Sequence, residues 1–206
     1  MDGTLLDLNF DNYFWSEIVP EAYAKKNSLD LNSAKNKIAK KIAAKLGSLD
    51  WYCIDFWSQS LGLDILSLKI KHQSKVKLRP WVEELLENLQ LNDKKLIIVT
   101  NAHPDTLEFK MCQVAIGKYF TKKISSHQLG LAKEEPWFWD LLQQVEPFDL
   151  NNTLFVDDSI AVLTAAYKYG FRNLLGIDLP DSKGEVISSS DNPWNSVASF
   201  EEILIP

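Results

Sequence analysis

The feature that most limits what this chain can fold into is the alternation that sets in after Arg79-Pro80. Lys95-Leu96-Ile97-Ile98-Val99-Thr100 is apolar on both faces, as a strand buried inside a parallel sheet must be. Helical patterns at Trp81 to Leu91 and Pro104 to Ala115 flank it. A short strand at Lys123 to Ser126 follows, then a helix at Pro136 to Val145 and a strand at Thr153 to Val156. A helix from Ser159 to Tyr169, ended by Gly170, leads to a last strand at Asn173 to Ile177. This order predicts an α/β fold, a doubly wound parallel sheet with right-handed crossovers. Such sheets take their ligands beyond the carboxyl ends of the strands. Asp181 to Asn195 reads as a polar loop.

The part before Arg79 is of another kind. From about Asp11 to Gln73 apolar residues recur at helical spacing without strand-like alternation. Pro20 bends the first stretch or starts a new turn there. Leu31 to Leu46 is helical and ends at Gly47. Asp50 is placed to cap a helix carrying Trp51, Ile54, Trp57 and Leu61, stopped by Gly62, and Asp64 to cap a fourth.

With 206 residues, 46% of them hydrophobic, the chain can bury one sizeable core or a core plus an insertion. Its two cysteines, Cys53 and Cys112, lack metal-ligand spacing and are expected as small buried side chains in a reducing compartment. A net charge of −6 gives no reason to expect a nucleic-acid polymer as partner. No apolar run approaches the roughly 20 residues that cross a bilayer, and no signal pattern opens the chain. The expectation is a cytoplasmic protein with a small-molecule partner.

The residues that follow the strands carry the chemistry. Thr100 and Asn101 end the first strand, Lys133 stands ahead of the helix at Pro136, and Asp157 and Asp158 end the strand at Leu154 to Val156. A hydroxyl, an amine and a carboxylate pair on one sheet edge suit a phosphate and a divalent cation. Adjacent carboxylates repel and resist joint ionisation unless a cation lies beside them. Blander readings exist for each: a helix cap for Asp157-Asp158, an Asx turn for Thr100-Asn101, a solvated lysine beside Glu134 and Glu135. His103 and His127 lie in loops, and this chemistry does not need them.

Four segments together resemble the haloacid dehalogenase-like phosphatases over essentially the whole chain. They are Asp2-Gly3-Thr4-Leu5-Leu6-Asp7, Leu96-Ile97-Ile98-Val99-Thr100-Asn101, Lys133, and Leu154-Phe155-Val156-Asp157-Asp158-Ser159. Residues 5–15 and Thr100-Asn101-Ala102-His103-Pro104 look most similar to the GMP/IMP nucleotidase branch. The resemblance implies a core of residues 1–14 and 78–206, with residues 15–77 as a helical cap inserted between the first two motifs. It implies hydrolysis of a phosphomonoester through an aspartyl-phosphate with Mg2+ as cofactor. Asp2 would be the general acid and base, with its carbonyl on the metal; Asp157 and Asp158 would be carboxylate ligands. Thr100, Asn101 and Lys133 would hold the phosphate. The cap aromatics Tyr13, Phe14, Trp15, Trp51, Tyr52, Phe56 and Trp57 would include a platform for a purine, the rest being helix core.

The family motif opens Asp-x-Asp, and Met1 occupies its middle position, so the nucleophilic aspartate and its strand are not among these residues. The chain without them is expected to be inactive, and the natural polypeptide is expected to extend upstream with an apolar strand ending in Asp. Sugar-phosphate phosphatase or mutase activity, and catalytically inactive phosphate binding, stand as alternatives.

Overall fold

The computed structural model describes residues 1–187 and 193–204. Its sheet residues form strands β1 (Ile97–Thr100), β2 (Lys122–Ser125), β3 (Leu154–Asp157), β4 (Asn173–Ile177) and β5 (Asn195–Val197). Every pairing is parallel: β1 with β2, and β3, β4 and β5 in that order. Parallel neighbours need a crossover rather than a hairpin. Helix α8 (Pro104–Val114) supplies it between β1 and β2, and α10 (Ile160–Tyr169) between β3 and β4. The α/β sequence pattern is therefore observed, with α7 (Val82–Leu91) and α9 (Pro136–Val145) where the periodicity puts them.

The strands are apolar on both faces because each face meets its own core. Ile98, Val156, Leu175 and Ile177 pack into one cluster with Phe10, Phe14 and Trp57. Their sequence neighbours Ile97, Val99, Phe155 and Leu174 pack into the other with Phe138, Trp139, Leu163 and Phe171. Successive residues of β1 and β3 thus serve opposite layers, which the period-two geometry of a strand requires.

Six α-helices precede α7: α1 (Asn9–Tyr13), α2 (Val19–Asn27), α3 (Leu31–Ala43), α4 (Leu49–Tyr52), α5 (Ile54–Leu61) and α6 (Ile65–Lys71). A π-helical turn, Phe14–Ile18, joins α1 to α2 without a break, and Pro20 follows two residues after it, inside the continuous helix. Asp64 caps α6 by accepting from Ser67 N at 2.9 Å, as expected. Asp50 does not cap: it lies inside α4 and pairs with Lys45 at 2.7 Å. The cap of α5 is Cys53, whose Sγ accepts from Phe56 N at 3.4 Å. That role corrects the expectation of two buried cysteines, since a capping side chain sits at a helix junction. Cys53 is half-buried, and Cys112 is exposed on α8.

Strand β5 lies at the end of the stretch read as a loop, too short and too polar for its alternation to register. Residues 188–192 of that stretch lie outside the described residues. At the other end of the chain, Leu6 bridges to Asp2 and to Leu78, and Leu5 O accepts from Arg79 N at 2.9 Å. The buried Arg79 guanidinium then donates to Ala198 O at 2.8 Å and to Leu179 O, joining this turn to the far side of the sheet. Among the described residues no helix is long and apolar enough to cross a membrane.

Candidate functional site

The carboxyl ends of β1 and β3, the turn before α9 and the N-terminal loop meet at one place. Lys133, 4% exposed, forms an ion pair with Asp157, which is 3% exposed. Asp157 also accepts from Ser159 N at 3.0 Å, so it shapes the turn into α10 as well. Asn101 ties the β1 turn to this pair: its Oδ1 accepts from Lys133 N at 2.9 Å and its amide donates to Glu134 at 2.8 Å. Thr100 Oγ1 accepts from Ala102 N at 3.1 Å, so the turn here is closed by the threonine hydroxyl and not as an Asx turn of Asn101. Its hydroxyl proton stays available for another acceptor.

Asp158 faces the N-terminal loop. Thr4 Oγ1 donates to its Oδ1 at 3.1 Å. Gly3 has φ of +72°, and a Cβ at that position would lie 2.2 Å from Asp158 Oδ2. Both the backbone and the close approach therefore demand glycine. Gly3→Ala is expected to lose about 1–2 kcal/mol from the left-handed backbone alone, with Asp158 displaced besides. A denaturant midpoint equal to that of the parent chain would show instead that the loop relaxes freely.

Burial, and after it the charge of Asp157, pushes the Asp158 carboxyl up to about 6. The Met1 ammonium, Lys133 and the Thr4 hydroxyl lower it, but not enough to offset those two. The positive charge around Asp158 thus compensates it only in part. The Met1 amino group is buried within the same field, attracted by Asp157, Asp2 and Asp158 and repelled by Lys133, with burial lowering its pKa most. Asp2, Thr100, Asn101, Lys133, Asp157 and Asp158 are all brought to this corner of the fold.

A second layer escaped the sequence reading. Lys110 on α8 is fully buried and donates to Asp2 Oδ1 and to Asp11 Oδ2, each at 2.6 Å. Lys69 on α6, also buried, donates to Asp11 Oδ1 at 2.8 Å and stands 4.4 Å from the centre of the Phe14 ring. Burial would raise the Asp11 carboxyl, but Lys110 and Lys69 outweigh it and hold the group well below the usual range. Burial likewise pulls both ammonium groups down. Lys110, with two carboxylates, ends above its ordinary value, and Lys69, sharing Asp11 and repelled by Lys110, ends below. A signal was present: Lys110 falls on the same helical face as Thr106, Leu107 and Met111, which are buried too.

Beside Asp2 opens a cleft of about 800 Å³ between the helical segment and the sheet, lined by Trp15, Trp51, Tyr52, His103 and Thr106 among others. Of the aromatics marked as a possible platform, Phe14 and Trp57 are core side chains, and Tyr13 is exposed outside this lining. Phe56 lies under the Lys45 ammonium, 4.6 Å from its ring centre. Trp15, Trp51 and Tyr52 are cleft walls, and the buried Trp57 also reaches the lining. Tyr52 donates to Glu134 at 2.6 Å, so a wall of the cleft is bonded to the turn that carries Lys133.

Comparison with known proteins places these features in context. Residues 1–170 match the sequence model of a hydrolase family, the haloacid dehalogenase-like hydrolases. Over 182 residues the chain is 38% identical to the GMP/IMP nucleotidase YrfG of Escherichia coli (strain K12), covering 88% of this chain and 82% of that one. A HAD phosphatase from Thermococcus onnurineus shares the fold with a TM-score of 0.81 at 20% identity, over 98% of this chain and 93% of that one. A HAD-hydrolase of Bacillus subtilis, YfnB, described as bound to magnesium, superposes with a TM-score of 0.67 at 15% identity, with the same two coverages of 98% and 93%.

Proposed function

Because the chain belongs to the haloacid dehalogenase-like hydrolase family, we propose that this site hydrolyses phosphomonoesters, nucleoside 5'-monophosphates of the GMP and IMP kind above others. The observation that carries the reading is the meeting of Lys133, Asp157, Asp158 and the Met1-Asp2 backbone beside an aromatic cleft. The 38% identity to a GMP/IMP nucleotidase supports the substrate class. Residues 15–77 act as the cap, and Trp15, Trp51 and Tyr52 supply the apolar faces against which a purine stacks.

The donor set fits Mg2+: hard carboxylate oxygens, with Asp158 half-buried and only partly compensated by positive charge. Asp158 and Asp157 would hold it together with the Asp2 carbonyl, and it would neutralise phosphoryl oxygens and orient them for attack. Lys133 adds a fixed positive charge on the same group, and the Thr100 hydroxyl and the Asn101 backbone N–H donate to its oxygens. In a polypeptide carrying an aspartate directly ahead of Met1, that carboxylate enters the same charged cluster. It attacks phosphorus, and the ester oxygen leaves with a proton from Asp2. Asp2 then takes a proton from water, whose oxygen attacks the aspartyl-phosphate, freeing inorganic phosphate and the carboxylate. Lys110 fixes Oδ1 of Asp2, leaving Oδ2 to carry that proton.

The test is phosphate release by protein bearing an upstream strand that ends in Asp, assayed on GMP, IMP and a panel of sugar phosphates. GMP and IMP are expected to lead in kcat/KM, and a chelator to abolish turnover. A sugar phosphate preferred by a large factor would reject the nucleotide reading. Absence of magnesium-dependent release on every substrate would reject the phosphatase reading.

A further inference from the structure

Beside the cleft, which His103 lines, lies a second cluster of metal-binding side chains that the phosphatase chemistry does not use. Cys53, His103 and His127 come from three separate places: the N-cap of α5, the N-cap of α8 and the turn after β2. Each offers one ligand atom, and the three atoms lie within 4.8 Å of one another. The imidazole rings stand edge to face with centres 5.1 Å apart. His127 Nε2 is buried and has no hydrogen-bond partner among the described residues. A buried ring nitrogen without a partner is costly, and such groups are usually satisfied by something that binds there.

The chemistry of the three atoms narrows what that is. One sulfur and two imidazole nitrogens are poor ligands for Mg2+, which selects oxygen, and good ones for Zn2+ and its neighbours. With Zn–S near 2.3 Å and Zn–N near 2.0 Å, tetrahedral ligands stand about 3.3–3.5 Å apart. Side-chain rotations that draw the cluster in by about 1 Å would reach that spacing. His103 would ligate through Nδ1, giving up its 3.4 Å capping bond from Asp105 N, while Asp55 Oδ2, 3.5 Å from Nε2, is the carboxylate that orients the ring.

The geometry points to a site for one divalent transition-metal ion of the zinc class, held by Cys53, His103 and His127. Binding forms one metal–sulfur and two metal–nitrogen bonds, releases the Cys53 thiol proton to solvent, and leaves a fourth position for water. No change of oxidation state is involved. Cys53 follows Trp51 and Tyr52 directly, whereas His103 and His127 belong to the loops after β1 and β2. The ion therefore braces an aromatic wall of the cleft against the sheet.

The test is a Co2+ titration of the reduced, full-length chain with millimolar Mg2+ present to occupy oxygen sites. One equivalent is expected to bind, with a near-ultraviolet sulfur-to-cobalt charge-transfer band that Zn2+ removes by displacement. Cys53→Ser keeps a good capping residue for α5, so its circular dichroism should match the parent while the band disappears. His103→Gln and His127→Gln should each weaken binding at least tenfold. Asp158→Asn should leave the band unchanged, since it touches only the carboxylate site. Zn2+ at a hundredfold excess over its Kd should raise the parent Tm by roughly 5–10 °C and that of Cys53→Ser not at all. A titration without the charge-transfer band overturns the proposal, as does a band that survives Cys53→Ser and is lost with Cys112→Ser.

Discussion

Lys110→Met is expected to lower the melting temperature by roughly 6–20 °C, the counterpart of losing about 3–5 kcal/mol when one partner of a buried ion pair is removed. The side chain is of similar length and fills the same space, so packing changes little. What changes is charge: Asp2 loses its 2.6 Å ammonium partner, and Asp11 keeps only Lys69. The pH dependence follows from Asp11, whose pKa is depressed in the folded state. Such a group contributes stability that is present above its unfolded pKa, about 4, and lost as pH falls through the folded value. The gap between parent and Lys110→Met should thus be widest from about pH 5 to 9 and narrow below about pH 4. Because the Lys110 pKa is raised, its own share is lost only at pH above the ordinary lysine range.

Two further measurements separate placement of Asp2 from general stabilisation. Asp11→Asn combined with Lys110→Met should lower stability further rather than restore it, because the buried Lys69 then loses the carboxylate it donates to. It should recover no phosphatase activity in the extended polypeptide, since Asp2 still lacks the group that fixes Oδ1. A loss below about 2 °C for Lys110→Met alone would mean that water reaches these carboxylates and that the network is not a buried one.

That network also marks the boundary of what could be read from the residues in order. Thr100, Asn101, Lys133, Asp157 and Asp158 were legible because parallel strands present their carboxyl ends on one edge, and the apolar runs locate those ends. Asp2 was legible through the motif Asp2-Gly3-Thr4. Lys110 and Lys69 were not, because their partners are 108 and 58 residues away and only tertiary packing joins them. The histidines show the same limit. His103 and His127 are separated by a helix and a strand, and the parallel pairing of β1 with β2 brings the loops after them together. Asp50 and Cys53 exchanged capping roles for a local reason: the break between α4 and α5 falls at Cys53, and no apolar periodicity signals a break that short.

Asp158→Asn is expected to abolish catalysis in the extended polypeptide and weaken Mg2+ binding at least a hundredfold, while making the metal-free fold more stable at neutral pH. The two effects have one origin. In the folded chain the carboxyl is pushed up to about 6 by burial and by Asp157, against about 3.9 when unfolded. A group raised in this way costs stability progressively as pH rises from its unfolded to its folded value, and in full above it, where the shift corresponds to about 3 kcal/mol. Unfolding in a chelator should therefore show the parent losing stability between about pH 4 and 6, with Asp158→Asn flatter over that interval. Asparagine keeps an oxygen for the Thr4 hydroxyl and a shape that clears Gly3, so the packing is preserved. The same partly compensated charge that weakens the metal-free protein is what draws the cation, because a divalent ion removes the repulsion between Asp157 and Asp158. Mg2+ affinity in the parent should accordingly fall as pH drops through about 6, as the proton competes for Asp158. If Asp158→Asn bound Mg2+ as tightly as the parent, the cation would have to be assigned elsewhere.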